Sequence, residues 1–218
     1  MEASLRPGLP STAALFVAPG FLHLLGNVLF TVQGHGLLLS DDPSGTAQAK
    51  SAIGQATARG SAALLAMRVL LGEAGQPPQA AGELLATLAE LLKVPLRERR
   101  LGFRVLGEEG PAARILVDPQ AFCNLVADAV RHLAEAHPDA DAGVLQLALS
   151  VGAAGGVVVH VDFAPAAGVL PFPARGASWA EALARAAVRC GYHGDVRAHG
   201  DRLQMSFPSA VAAPWPEP

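Results

Sequence analysis

Residues 21–39, FLHLLGNVLFTVQGHGLLL, constrain the fold more than any other stretch of the chain. Apolar side chains surround it on nearly every side, which marks a helix buried on more than one flank. Leu22, Leu25, Leu29, Val32 and Leu39 recur at intervals of three, four and seven, the spacing of a bundle seam. His23 and Asn27 interrupt it, four residues apart and therefore on one helical face. A His held out to water by such a rod is suited to carry a transferable group. Its neutral imidazole is nucleophilic near neutral pH and can form a covalent intermediate. The plain alternative is an amphipathic-helix position without chemistry, since one His carries little information by itself.

The 218 residues suffice for one large or two small domains, and at 51% hydrophobic and 16% charged they predict sizeable cores or an oligomer interface. Aromatics make up only 5%, so that interior depends on Ala, Leu, Val and Gly packed closely. A net charge of -3 gives no electrostatic reason to expect nucleic acid or an anionic membrane as partner. Cys123 and Cys190 both fall among apolar residues and read as buried free thiols in an intracellular, cytoplasmic chain. No basic segment precedes a long apolar run at the start, so no signal peptide is expected. Gly26, Asn27, Gln33 and His35 break the apolar run, which is expected to fall short of the ~20 residues of a membrane span.

Residues 1–10 read as a loose arm. Ser11 or Thr12 is placed to cap a first helix running to Leu39, which Pro19-Gly20 bends or delays. Ser40 to Gly45 signals a turn, and a second helix is expected from Thr46 to Leu71. Two apolar helices cannot bury themselves in a lone hairpin, so a homodimeric four-helix bundle is expected. Gly72 to Pro78 reads as a linker. An amphipathic helix then spans Gln79 to Leu92, with Leu84, Leu85, Leu88, Leu91 and Leu92 on its buried stripe. Phe103–Val105 and Arg114–Val117 read as short strands. Asp118 caps and Pro119 opens a helix to Glu135. Val144–Val151 and Val157–Phe163 form a hairpin, Trp179–Cys190 a helix, and Asp195–Ala198 with Leu203–Phe207 a closing hairpin. The expected fold is α+β: a helical hairpin over 11–75, then an α/β sandwich with a mixed sheet and helices on one face over 79–208.

That order resembles the catalytic core of sensor histidine kinases, a dimerisation and histidine-phosphotransfer hairpin followed by a GHKL-type ATP-binding domain. His23-Leu24-Leu25-Gly26-Asn27-Val28-Leu29 resembles the family's H-box. Asp118-Pro119-Gln120 with Asn124-Leu125-Val126-Ala127-Asp128-Ala129 resembles the N-box helix and its lead-in. Leu183 to Val188 with His193-Gly194-Asp195-Val196 resembles the last helix and its His-Gly turn.

The departures from that pattern are as informative. The carboxylate that follows the phosphorylated His in the family is here Leu24, and the second N-box Asn is here Asp128. Asp162 lies roughly where the family's Asp reads adenine, but the glycines after it are replaced by Ala164-Pro165-Ala166. Trp179 and Glu181 stand where phosphates need free backbone N–H groups. The plan is similar to that of bacterial phosphorelay histidine phosphotransferases. The resemblance implies His23 and Asn27 as the site, with His23 accepting and donating a phosphoryl group. The partner it implies is a response-regulator receiver domain carrying its own Mg2+, with no ATP or other cofactor and no membrane or nucleic acid. Autokinase activity is not expected. A non-catalytic pseudokinase scaffold that binds a kinase or regulator is the alternative, favoured by Gly26 and Val28, and a receiver phosphatase using Asn27 to place water is a further one.

His35, twelve residues after His23, lies on a face about 120° away and is not expected to be a second acceptor. His132, His137, His160, His193 and His199 show no metal-ligand spacing, and no metal is expected. Arg97, Arg99 and Arg100 read as a solvated helix end able to help dock an acidic partner.

Overall fold

The computed structural model describes residues 12–37, 39, 43–73, 75–107, 110–136, 143–152, 155–165, 196–199 and 202–210. In chain order these form α1 (Thr12–Leu37), α2 (Pro43–Leu70), β1 (Gln79–Ala80), α3 (Ala81–Glu98), β2 (Gly102–Leu106), β3 (Leu116–Val117), α4 (Pro119–Ala136), β4 (Gly143–Val151), β5 (Val157–Pro165), β6 (Val196–His199) and β7 (Arg202–Phe207). The fold is α+β, a helical hairpin followed by a sandwich whose five-stranded sheet runs β2-β4-β5-β7-β6. β2 pairs with β4 in parallel and every other neighbour in that sheet is antiparallel, so the sheet is mixed. β1 and β3 make a separate two-stranded patch.

Strand alternation divides the sheet into two faces. Leu145 and Leu147 of β4, Val157, Val159, Val161 and Phe163 of β5, and Leu203, Met205 and Phe207 of β7 point into the buried cluster shared with α3 and α4. Between them Gln146, Ser150, His160, Asp162 and Gln204 lie on the other face, partly exposed. The Val run of β5 therefore reads two ways: its odd positions are core, and its even positions turn polar after Val158.

The leucine stripe of α3 is buried as its period requires, with Leu85, Leu88, Leu91 and Leu92 fully enclosed. Each contributes about 1.5–3 kcal/mol by leaving water, far more than helix propensity does. In α4 Asp118 caps the helix, its Oδ1 accepting from Gln120 N–H at 2.8 Å. Phe122 packs on Phe207 with ring centroids 4.9 Å apart, tying α4 to the last strand.

The hairpin is set into this core at its base. Ala13, Ala14, Phe16, Val17 and Gly20 of α1, with Ala63, Ala66, Val69 and Leu70 of α2, join the same buried cluster as α3 and α4. A Cβ on Gly20 would sit 1.8 Å from the Leu91 carbonyl oxygen, so only glycine lets α1 cross α3 this closely. Pro95, four residues beyond Leu91, has no N–H to offer that carbonyl. The two helices therefore meet where a proline has opened the α3 ladder.

Several expectations change. α1 starts at Thr12 and runs straight through Pro19, so Pro19-Gly20 marks a helix crossing and not a late start. Thr12 does not cap it; its hydroxyl donates to Asp128 Oδ1 at 3.3 Å. α3 continues past Leu92 and through Pro95 to Glu98. Arg114–Val117 is a strand only at Leu116–Val117, because Pro111–Arg114 form a 3-10 turn that buries Ala112 and Ala113. Without a break at Pro19, α1 reaches 26 residues with a mean hydropathy of 1.8 in its most apolar window, long and apolar enough to cross a membrane. The expectation that it falls short of that length is corrected, although the first third of the helix lies in the shared core. The turn at 40–42, the segment 166–195 with Trp179, Glu181, Cys190 and His193, His137 and both termini lie outside the described residues.

Candidate functional site

His23 and Asn27 stand side by side on the exposed flank of α1, one turn beyond the Gly20 crossing. Asn27 Nδ2 lies 3.2 Å from His23 Nε2. An amide N–H only donates, so in this arrangement Nε2 is the acceptor and the ring proton sits on Nδ1. Nε2 then carries the lone pair, which is the form a nucleophilic imidazole needs. Thr31 Oγ1 donates to the Asn27 carbonyl at 2.8 Å, a further contact along the same face.

Both residues line an open cleft of about 390 Å3 where α1, α2 and α3 come together. Leu24 and Val28 supply apolar wall from α1, Arg59 enters from α2, and Glu90, Lys93 and Arg97 enter from α3. Close packing sets this register: a Cβ on Gly60, next to Arg59, would lie 3.3 Å from Val28. Lys93 is ion-paired with Glu90. Among the described residues neither Arg59 nor Arg97 has an ion pair. A second cleft of about 440 Å3 shares Leu24, Arg59, Glu90 and Lys93 and continues to Phe103 and Val105 of β2.

The three other arginines near the base are engaged differently. Arg99 lies over the Phe16 ring at 4.9 Å and donates to the Pro95 carbonyl at 3.3 Å. Arg100, two residues past the end of α3, takes φ 55°, a left-handed position. Of the expected cluster at 97, 99 and 100, only Arg97 faces the cleft beside His23. Arg131 lies on α4, ion-paired with Asp128 at 3.2 Å and Glu135 at 2.7 Å.

The residues that the family resemblance places at a nucleotide site each have a partner within the chain. Asn124 is buried and its Nδ2 donates to the Gln120 carbonyl of its own helix at 2.9 Å. Asp128 is held by Arg131 and Thr12. Asp162 pairs with Arg202 at 2.7 Å on the outer face of the sheet, directly across the β5–β7 ladder. Its neighbours Val161 and Phe163 take the inner face that α4 covers. Asp162 thus lies on the face of the sheet opposite α4, the helix that carries Asn124.

Cys123 is a free, buried thiol whose pKa burial pushes up to about 12, with the Asp118 charge adding to it, so it is inert as a nucleophile. His160 Nε2 lies 2.9 Å from Ser150 Oγ on the outer sheet face. Among the described residues no three His, Cys, Asp or Glu side chains gather as metal ligands. Arg59 and Lys93 are the cleft residues that sequence reasoning missed. Arg59 has no motif around it, and Lys93 looks like any solvated helix residue, so only the three-helix crossing brings them to His23.

No family model matches the sequence, and no curated protein matches it. Solved structures similar to this chain are two-component histidine-kinase-type domains. The catalytic domain of the histidine kinase ThkA is similar at 14% identity over 61% of this chain and 95% of its own, with a TM-score of 0.47. A bacterial phosphotransferase is similar at 18% identity over 93% of this chain and 99% of its own, with a TM-score of 0.38. ThkA in complex with the response regulator TrrA is similar at 15% identity over 87% of this chain and 60% of its own, with a TM-score of 0.44.

Proposed function

We propose that this chain is a histidine phosphotransferase of two-component signalling, a homodimer in which His23 accepts a phosphoryl group from one receiver domain and passes it to another. The observation that carries this reading is the His23–Asn27 pair, exposed on a rigid helix and opening onto a cleft with arginines on two of its walls. His23 is the nucleophile. Asn27 holds the ring in the tautomer that leaves Nε2 free of its proton. The receiver's own aspartyl phosphate and Mg2+ supply the electrophile and most of the charge compensation, so no ATP site is needed. The engagement of Asn124, Asp128 and Asp162 with other partners supports a second domain without nucleotide.

What the hairpin leaves uncovered supports a dimer. Leu15, Leu22 and Leu29 repeat at seven residues along α1 and are exposed, as are Phe30 and Leu37, Leu64 of α2 and Leu71 just past its end. Exposed leucines at heptad spacing along α1, with Leu64 exposed on α2, suit the seam of a four-helix bundle. This seam makes a second copy of the hairpin a better cover than lipid, because the base of α1 is committed to the α3–α4 core. The bundle of 11–75 and the sandwich of 79–208 then act as a phosphotransfer unit and a receiver-docking unit in a cytoplasmic protein.

Incubation with receiver domains phosphorylated by acetyl phosphate tests this reading. Acid-labile, base-stable phosphate on the wild-type chain and none on His23→Ala is the expected result. A second reading, the non-catalytic scaffold, is favoured by Leu24, which packs against the core and offers no carboxylate to the ring. Receiver binding without transfer from any receiver tried would select it. Titration with Mg-ATP is expected to show no binding.

A further inference from the structure

The cleft beside His23 carries more positive charge than the chain as a whole would suggest. Its walls hold Arg59, Lys93, Arg97 and a single carboxylate, Glu90, in a chain of net charge -3. Glu90 is taken up by Lys93, two helical turns of α3 separate Glu90 from Arg97, and Arg59 stands on another helix. Two guanidinium groups without ion pairs among the described residues therefore line the same cleft as His23. A guanidinium presents a planar fork of N–H donors that matches phosphoryl oxygens two at a time. The sequence departure at Leu24 acts in the same direction. A carboxylate there would lie against this cleft, whose wall Leu24 forms, and would repel a phosphoryl dianion.

Resting on the phosphotransfer reading, we infer that this cleft is an anion site whose occupant is the phosphoryl group carried by His23, with Arg59 and Arg97 as its positioning residues. In the loading step the Nε2 lone pair attacks phosphorus of the receiver's aspartyl phosphate. The P–N bond forms as the P–O bond to the aspartate breaks, and the electron pair leaves with that carboxylate. The Nδ1 proton stays on the ring. Asn27 gives up its contact with Nε2 and its amide turns to a phosphoryl oxygen, while the two arginines take the others. The second domain thus contributes Arg97 from α3 to the phosphoryl site, besides offering a docking surface. The loss of the acidic neighbour suits a protein that stores a phosphoryl group and does not generate one from ATP.

Inorganic phosphate and phosphoramidate, a small phosphoryl donor that needs no receiver, separate the possibilities. Phosphate titrated into the full-length protein is expected to shift the NMR signals of the Arg59 and Arg97 side-chain N–H groups, in wild type and in His23→Ala. After phosphoramidate treatment, the phosphohistidine measured by 31P NMR is expected to hydrolyse about tenfold faster in the Arg59→Gln/Arg97→Gln double variant, with Arg59→Lys intermediate. Unmoved arginine signals, or a wild-type lifetime in the double variant, would overturn the anion site while leaving transfer to His23 intact. The opposite pattern, arginine signals that move with phosphate on a His23 that neither phosphoramidate nor a receiver modifies, removes the occupant and brings down the phosphotransfer reading with it.

Discussion

Helices α1 and α3 are both rich in leucine, and they spend it differently. In α3 the leucines fall on one stripe and are enclosed by α4, the sheet and the base of the hairpin; Leu88 is 0% exposed. In α1 the apolar residues go all the way round, the base is enclosed, and further along Leu22 is 68% and Phe30 76% exposed. The sandwich satisfies its own apolar surface, whereas the hairpin has surface left over. A monomeric fold does not retain so much exposed leucine at heptad spacing without a use for it. The polar pair His23–Asn27 sits at the boundary, beside the last residues that touch the core.

The largest effect that separates the two regions is expected in the sandwich core. Phe122→Ala removes a fully buried ring that joins α4 to Phe207, and should cost about 3–5 kcal/mol in denaturant unfolding. A loss below ~1 kcal/mol would mean that α4 is not locked against β7 as described. At the join, Gly20→Ala forces a methyl into the Leu91 carbonyl and should cost about 1–3 kcal/mol, or more if α1 cannot shift. The same change is expected to disturb the His23 cleft, seen as altered phosphate response there. A neutral Gly20→Ala would break the claim that the two regions share one core.

Along the exposed stripe, Leu22→Ser/Leu29→Ser should leave the stability of the monomer within about 0.5 kcal/mol while moving the protein from dimer to monomer in sedimentation. Retention of the dimer would sink the seam assignment. The smallest effect concerns pH. Burial, and after it the Arg131 charge, hold the His132 imidazole below its ordinary value against weaker raising effects from Asp128 and Glu135. The folded state then binds fewer protons than the unfolded one. This stability is present above the unfolded value of about 6.5 and is lost as pH falls through it toward the lower folded value. His132→Gln is expected to flatten the fall in stability as pH drops below about 6.5; an unchanged slope would assign it to other groups.

Much of this fold was legible because its signals are local. The α3 stripe, the Asp118-Pro119 helix start and the β4–β5 hairpin follow from periodicity and capping, and the structure has each of them. What was not legible depends on contacts far apart in sequence. Pro19-Gly20 reads as a bend or a late start until the Leu91 backbone is brought against Gly20, when the burial of Phe16 and Val17 offsets the lost hydrogen bond. Asp162 matches a motif by position, but its place on the outer face of the sheet, paired with Arg202, emerges only once the β5–β7 ladder is formed. The site was half visible: His23 and Asn27 announce themselves by breaking an apolar run, while Arg59, thirty-six residues from His23, has no signal before the hairpin closes.

The most direct test is the mass of the intact chain after exposure to a phosphorylated receiver, followed by fragmentation under conditions that keep phosphoramidates. The account predicts one added phosphoryl group per chain, located on His23 and absent from His23→Ala. An unmodified chain, or a phosphoryl group located on another residue, would contradict it.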